Sequence, residues 1–408
     1  MSKTKKSDLG YQLGLISFVR PSSFLRNTKR VPTMSPRRLV RAAGVFAGGL
    51  VGSPLRLFQL MRHRRTLNDV AFDEAPVFII GHWRSGTTHL HNLMSQDEQF
   101  GCVRMAQALS PDCAVSTRGW LPDLFARVFP QKRPMDNLTW PMDAPQEEEI
   151  PLAKMTPYSW YMQFFFPKQA LELLTQGVLF DKTPPRIGNE VKRKYLDILK
   201  TASYLDGGRR LLLKNPVNTA RIPMLLDLFP DAKFVAIHRS PYEVFPSAIN
   251  LHRKILNLTS LQEFDDQLVE DNVLAIYEQV MATYLADRHL IPAGNLVEVA
   301  YADLDASPHD TVRAIYDQLG IAGWDSAQSR VDGYIESQRG YRKNGFSISA
   351  RSAALVEDRW RFAFDALGYR RDTIDMRVDA AEVSAGGVGA VTQLAEHTQS
   401  DVAVDLVG

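Results

Sequence analysis

Arg84, Ser85, Thr87 and Thr88 fall within five residues of one another, and together they are equipped to hold an anion. They lie in Pro76 to Met94, PVFIIGHWRSGTTHLHNLM. An apolar run from Val77 to Ile80 leads into a loop bracketed by Gly81 and Gly86, after which Leu90, Leu93 and Met94 recur at helical spacing. Strand, loop and helix in that order aim loop amides and a helix N-terminus at one spot, where a phosphate completes their unmet hydrogen bonds. Arg84 adds a fixed cation and the three hydroxyls add donors. The loop is not a G-x-x-x-x-G-K-[ST] nucleotidase loop, which places Lys directly after the second Gly; Thr87 stands there, and the cation precedes Gly86 by two.

A second anion site is written into Phe229 to Leu251, FPDAKFVAIHRSPYEVFPSAINL. Lys233 to Ile237 reads as a buried strand. Ser240, Pro241 and Glu243 read as N-cap, N1 and N3 of a helix closed by a capping box. Arg239 then sits at the strand end and Ser247 about two turns into the helix, a spacing that lets both grip one dianionic phosphate. Between the two sites, Leu211 to Lys214 reads as another apolar strand ending in a Lys. A helix follows it with Ile222, Leu225, Leu226 and Phe229 on one face.

The first loop resembles the 5′-phosphosulfate loop of sulfotransferases that use 3′-phosphoadenosine 5′-phosphosulfate (PAPS), roughly G-x-x-[RK]-S-G-[TS]-[TS]. The second resembles their 3′-phosphate text, in which an Arg and a Ser have the separation of Arg239 and Ser247. The resemblance runs from about Pro76 to Tyr369 and is nearest to bacterial members of the group that includes carbohydrate and tyrosylprotein sulfotransferases. It implies that Arg84, Ser85, Gly86, Thr87, Thr88, Arg239 and Ser247 bind PAPS. It further implies that Arg84 and Lys214 steady the sulfuryl group and leaving phosphate, and that no metal takes part. Gly340-Tyr341-Arg342-Lys343-Asn344-Gly345 partly matches the family's R-K-G loop, with Asn344 inserted, and adds Arg342 and Lys343 to the donor site. Tyr301-Ala302-Asp303-Leu304 is similar to the family's Y-E-D-L text. The implied reaction moves a sulfuryl group in line to an acceptor hydroxyl or amine. Its rivals are an ATP-using P-loop kinase or nucleotidase, and a catalytically silent nucleotide- or membrane-binding protein.

The general base departs from the family's patterns. Lys214-Asn215-Pro216 lacks the His of K-T-H, and Leu213 stands where other members carry Glu. Gln146-Glu147-Glu148-Glu149 offers three adjacent carboxylates, with Glu147 and Glu149 the candidates. Mutual repulsion would raise at least one pKa toward neutrality. The alternative is a solvated acidic helix start that favours the helix dipole. Asp181, in Asp181-Lys182-Thr183-Pro184, ranks below them. His89 and His91, two apart on a helix, point to different sides and cannot share a metal; with His82 they read as packed or substrate-facing.

These groups need a rigid frame. Apolar strands at 77–80, 211–214, 233–237 and 296–300 alternate with helical stretches, which implies a P-loop-like three-layer α/β fold, a central parallel sheet flanked by helices. Ligands bind beyond the strand C-termini, where Arg84, Lys214 and Arg239 would lie. The 408 residues are 45% hydrophobic and 23% charged, enough for a sizeable core. Residues 1–70 read as a basic helical arm, 71–375 as the sulfotransferase domain with an acceptor cap at 100–180, and 376–408 as a disordered tail. Cys102 and Cys113 show neither metal spacing nor a disulfide framework, so a cytoplasmic setting is the default.

Of the 48 Lys/Arg, 14 fall in residues 1–66, leaving 34; of the 46 Asp/Glu, only Asp8 does, leaving 45. Ala42 to Leu55 is nearly all small or apolar, shorter than the ~20 residues that span a bilayer, and too far from Met1 for a signal peptide. Two readings stand. The segment lies on an anionic membrane surface as a peripheral contact, which favours a lipid acceptor; or it docks on the acidic body, its arginines pairing there. A small-molecule or glycan acceptor is equally open, and no nucleic-acid partner is expected.

Overall fold

The computed structural model describes residues 18–28, 36–128, 141–340 and 347–371. At its centre five parallel strands run side by side: β1 (Val77–Ile80), β2 (Phe100–Gly101), β3 (Arg210–Lys214), β4 (Lys233–His238) and β5 (Leu296–Ala300), in the order β2-β3-β1-β4-β5. Four match the expected strands to within a residue at either end; β2, only two residues long, carries too little pattern to be read from sequence.

Successive strand residues point to opposite faces, and the core divides accordingly. On one face Val77, Ile79, Leu212, Val235, Ile237 and Val299 pack against Leu90, Leu93, Val312, Tyr316 and Val331. On the other, Phe78, Ile80, Leu213, Phe234 and Ala236 meet Val191, Tyr195, Leu199, Val273, Tyr277 and Trp360. A sheet covered on both sides must be apolar on both sides, and β1 has no exposed residue. The fold is the three-layer P-loop-like α/β fold.

The chain order places β1 between β3 and β4. The connections leave β1 toward one edge and return toward the other, so a crevice opens beyond its C-terminal end. The segments that follow β1, β3, β4 and β5 meet there: Gly81–Gly86, Lys214–Asn215, His238–Arg239 and Tyr301.

The N-terminal arm forms α1 (Pro21–Thr28) and α2 (Pro36–Asn68) and docks on the body. Val19, Phe24, Ala42 and Val45 join Trp83, Trp160, Met162 and Phe165 in one buried cluster. Arg20 pairs with Asp112 through Nε at 2.6 Å, Arg38 with Glu263 at 2.6 Å, and Arg41 donates to the Ser260 carbonyl at 2.9 Å. Glycines that weaken α2 as a helix also let the chain cross it. A Cβ on Gly49 would stand 2.1 Å from the Val19 carbonyl oxygen, and one on Gly52 2.7 Å from the Phe18 ring.

Candidate active site

Helix α3 (Thr87–Met94) starts directly from the loop, with Gly86 as N-cap at φ 97°. Two glycines are required by closeness as well as by dihedral angle. A Cβ on Gly81 (φ 139°) would lie 2.1 Å from the Ile237 carbonyl oxygen, and one on Gly86 2.3 Å from the Tyr301 ring. The Gly81 amide donates to Thr219 Oγ1 at 2.7 Å, tying the loop to the segment after β3. Arg84 itself adopts φ 73°, a left-handed conformation rare for a side chain of its size and held by the surrounding turn. The first amides of α3 have no partner within the helix, and buried Ser85 and Thr87 flank them. The result is a polar cradle on rigid supports.

Arg84 Nε donates to Ser247 Oγ at 2.8 Å, joining the two sequence segments 163 positions apart. Ser247 lies on α5 (Pro241–Thr259), where Pro241 is at N1 as expected. The expected capping box does not form: Ser240 makes no side-chain cap bond. Glu243 instead turns back to Arg239, Nη2 to Oε1 at 2.6 Å, because a guanidinium one turn away outcompetes a backbone amide. Arg239 also lies over the Tyr301 ring, 4.4 Å from its centroid. Its Nε is buried with no hydrogen-bond partner, a donor that an anion at this point would satisfy.

A third group lies beside the cradle. Lys214, at the end of β3, sends Nζ to Glu147 Oε1 at 2.5 Å and to Thr88 Oγ1 at 3.3 Å. The Tyr161 hydroxyl donates to the other Glu147 oxygen and accepts from Trp83 Nε1, the latter at 3.1 Å. Glu147 thus stands between a cation, a phenol and the loop, with 15% of its side chain exposed.

The three adjacent carboxylates have three separate positions. Glu148 is wholly buried: one oxygen accepts the Lys214 backbone N–H at 3.1 Å, the other the Tyr195 hydroxyl at 3.1 Å and Asn218 Nδ2 at 3.2 Å. Its pKa is raised to about 7, chiefly by burial; Lys214 and the hydrogen bonds oppose the rise, and repulsion from Glu147, the expected cause, contributes least. Glu149 is also wholly buried. Arg221 meets it at 2.7 and 3.3 Å, and Ser159 Oγ, the Trp160 amide and Asn215 Nδ2 complete its shell. Expected as a base, Glu149 has no exposed surface and is turned away from the cradle toward this interior ion pair. Helix α4 (Glu149–Met155) starts here, so one turn of chain sends successive carboxylates in different directions.

Tyr161 also lines a mostly apolar pocket of ≈ 40 Å³, together with Val19, Ile150, Ala153, Lys154, Phe164 and Phe165. Burial lowers the Lys154 pKa to about 7.

The other expected groups lie elsewhere. Asp181 is exposed. His82 and His91 are interior, bonded to the Trp83 and Leu212 carbonyls, and burial lowers both pKa values to about 3. Arg342 and Lys343 fall outside the described residues. Sequence reasoning did not single out Tyr161, Trp83, Thr219 or Tyr301 as site residues. Tyr301 carried a signal, since it opens the Y-x-D-L text, and Trp83 stands in the loop itself, next to Arg84; Tyr161 and Thr219 are distant in sequence and carried none.

A P-loop-like sheet with a polar cradle beyond its central strand, cations from three strand ends and a carboxylate–lysine pair beside them has the groups that a group-transfer enzyme uses. Residues 76–326 match the Sulfotransferase family, and the chain belongs to that family. The omega-hydroxy-beta-dihydromenaquinone-9 sulfotransferase Stf3 of Mycobacterium bovis (strain ATCC BAA-935 / AF2122/97) is 28% identical over 324 residues, which are 79% of this chain and 83% of that protein. Its namesake in Mycobacterium tuberculosis (strain CDC 1551 / Oshkosh) aligns to the same extent. Among solved structures, sulfotransferase STF1 from M. tuberculosis H37Rv superposes with a TM-score of 0.58 at 18% identity, over 87% of this chain and 92% of its own. STF9 from Mycobacterium avium does so with 0.60 at 17%, over 82% and 87%. At these identities the structures establish the shared fold.

Proposed function

We propose that this sulfotransferase takes its sulfuryl group from PAPS and delivers it to the hydroxyl, or amine, of an apolar, lipid-like acceptor, with Glu147 as base. The observation that carries the reading is the Lys214–Glu147 pair, set against Thr88 at the edge of the loop that presents Arg84. The fit of the donor rests on the unpartnered Arg239 Nε and on the tight loop at Gly86, where a Cβ would strike the Tyr301 ring that lies under Arg239. In this reading Arg84, Ser85, Gly86, Thr87 and Thr88 hold the 5′-phosphosulfate end, and Arg239 and Ser247 hold the 3′-phosphate. Bound there, PAPS supplies the sulfuryl group and is released as adenosine 3′,5′-bisphosphate (PAP). Lys214 and Arg84 offer positive charge to the oxygens where negative charge develops. Glu147 accepts the acceptor's proton on its carboxylate, while Trp83 and Tyr161 fix the orientation of that group. The Stf3 relatives are named for a hydroxylated menaquinone, which supports an acceptor with an apolar body; the pocket at Tyr161 is apolar along most of its lining but, at ≈ 40 Å³, has room for only a small part of one. Cys102 and Cys113 are free and buried, in keeping with a reducing, cytoplasmic setting.

PAP should raise the melting temperature of the purified protein without Mg²⁺. In Arg84→Ala and Arg239→Ala, loss of charged hydrogen bonds worth roughly 1.5–3 kcal/mol each should weaken PAP at least about tenfold, as read by calorimetry. A protein stabilised by ATP–Mg²⁺ but not by PAP would overturn the donor.

Glu147→Gln should keep PAP affinity and lose about 10²–10⁴-fold in turnover. Transfer of labelled sulfate from PAPS into a lipid extract is the measurement. Full turnover in this variant would move the base elsewhere.

A further inference from the structure

Helix α2 is apolar on the side it turns to solvent. Val40, Ala43, Ala47, Val51, Pro54, Phe58 and Met61 are all exposed, Val40 by 74%, Val51 by 73% and Met61 by 72%. At 100° per residue they fall within about 40° of one line, forming a stripe about 30 Å long. Leu39, Leu50 and Leu57, also exposed, widen it. The face toward the body buries Ala42, Val45 and Gln59. A helix on the surface of a globular protein shows solvent a polar face, and an exposed apolar strip of this length marks an interaction site.

Charge identifies the occupant. The 33 residues of α2 include seven arginines and neither Asp nor Glu. Arg38, Arg41 and Arg56 are spent on the body. Arg62, Arg64 and Arg65 are exposed, and Arg62 and Arg65 continue the stripe at its C-terminal end. An apolar face ending in cations, with no carboxylate to repel headgroups, matches the boundary between acyl chains and anionic lipid. Among the described residues no helix is long and apolar enough to cross a membrane, so contact is along the surface. A second copy is a poor match. A two-fold contact would set α2 against α2, which carries neither Asp nor Glu to answer Arg62, Arg64 and Arg65.

We propose that the outer face of α2 docks on an anionic bilayer, with the helix axis in the plane of the interface. Val19, on the same arm, lines the pocket at Tyr161, so docking links that pocket to acceptors dissolved in lipid; this link rests on the acceptor reading above.

The test is flotation of the full-length protein with phosphatidylcholine vesicles, with and without phosphatidylglycerol. Binding should require phosphatidylglycerol and fall with salt. Val51→Glu/Phe58→Glu should lower it about tenfold or more, and Arg62→Glu/Arg65→Glu should abolish the preference for anionic lipid. All these positions are exposed, so melting temperature and the PAP-induced shift should match wild type. The same PAP measurement separates a failure of docking from a failure of the donor reading. The proposal is overturned by wild type that ignores anionic vesicles at low salt, or by a Val51→Glu/Phe58→Glu variant that floats like wild type. It is also overturned by a wild-type dimer that this variant splits, which would assign the stripe to a second copy.

Discussion

Glu148 holds the Lys214 backbone in place from a site without solvent, and its titration should be visible in the stability of the whole protein. An unfolded Glu releases its proton near 4.5, whereas burial holds that of Glu148 to about 7. Between these values the folded chain binds more protons than the unfolded one, so this group's contribution to stability falls as pH rises through that window and levels above it. The loss is about 3 kcal/mol. Glu148→Gln cannot ionise and keeps an acceptor for the Lys214 amide, so its melting temperature should be flatter than wild type from pH 5 to 7.5. Equal slopes in the two proteins would contradict this account. The acidic cluster was legible as a cluster, and Glu147 was among its candidates. The different fates of its members were not, because solvent, Lys214 and Arg221 are brought to them by other segments.

At the scale of elements, the Glu149–Arg221 pair fastens the start of α4 to the turn at Ser159–Trp160, to Asn215 after β3, and through Arg221 Nε to the Gly177 carbonyl at 3.0 Å. Removing one partner leaves a buried charge unmatched, so Glu149→Ala and Arg221→Ala should each cost about 3–5 kcal/mol, while Glu149→Met/Arg221→Leu should cost less than either. Denaturant midpoints measure this, and losses below about 1 kcal/mol in both single variants would refute it. The strands β1, β3 and β4 were legible because their residues are almost continuously apolar and lead into Gly, Lys or Arg, and β5 because its apolar residues flank only Glu298 and lead into the Tyr301 text. The capping box failed because its motif considers only four residues and could not include Arg239 just outside them.

Over the whole molecule, the sequence by itself determined the fold class, the two segments that meet at the cradle and the family. Each follows from local apolar runs, glycines and caps whose physics acts over a few residues. It also determined that the first 66 residues are basic and the remainder acidic. Tertiary structure alone decided the rest. It bonded Arg84 to Ser247 and placed Tyr301 beneath Arg239. It gave Glu147 to Lys214 and Tyr161 while burying its two neighbours. It packed one face of α2 on the body, as the docked reading of the arm expects, and left the apolar stripe of the other face to solvent. Burial and pairing across 60 to 160 positions depend on which segments the sheet order brings to the end of β1, and no local pattern encodes that order.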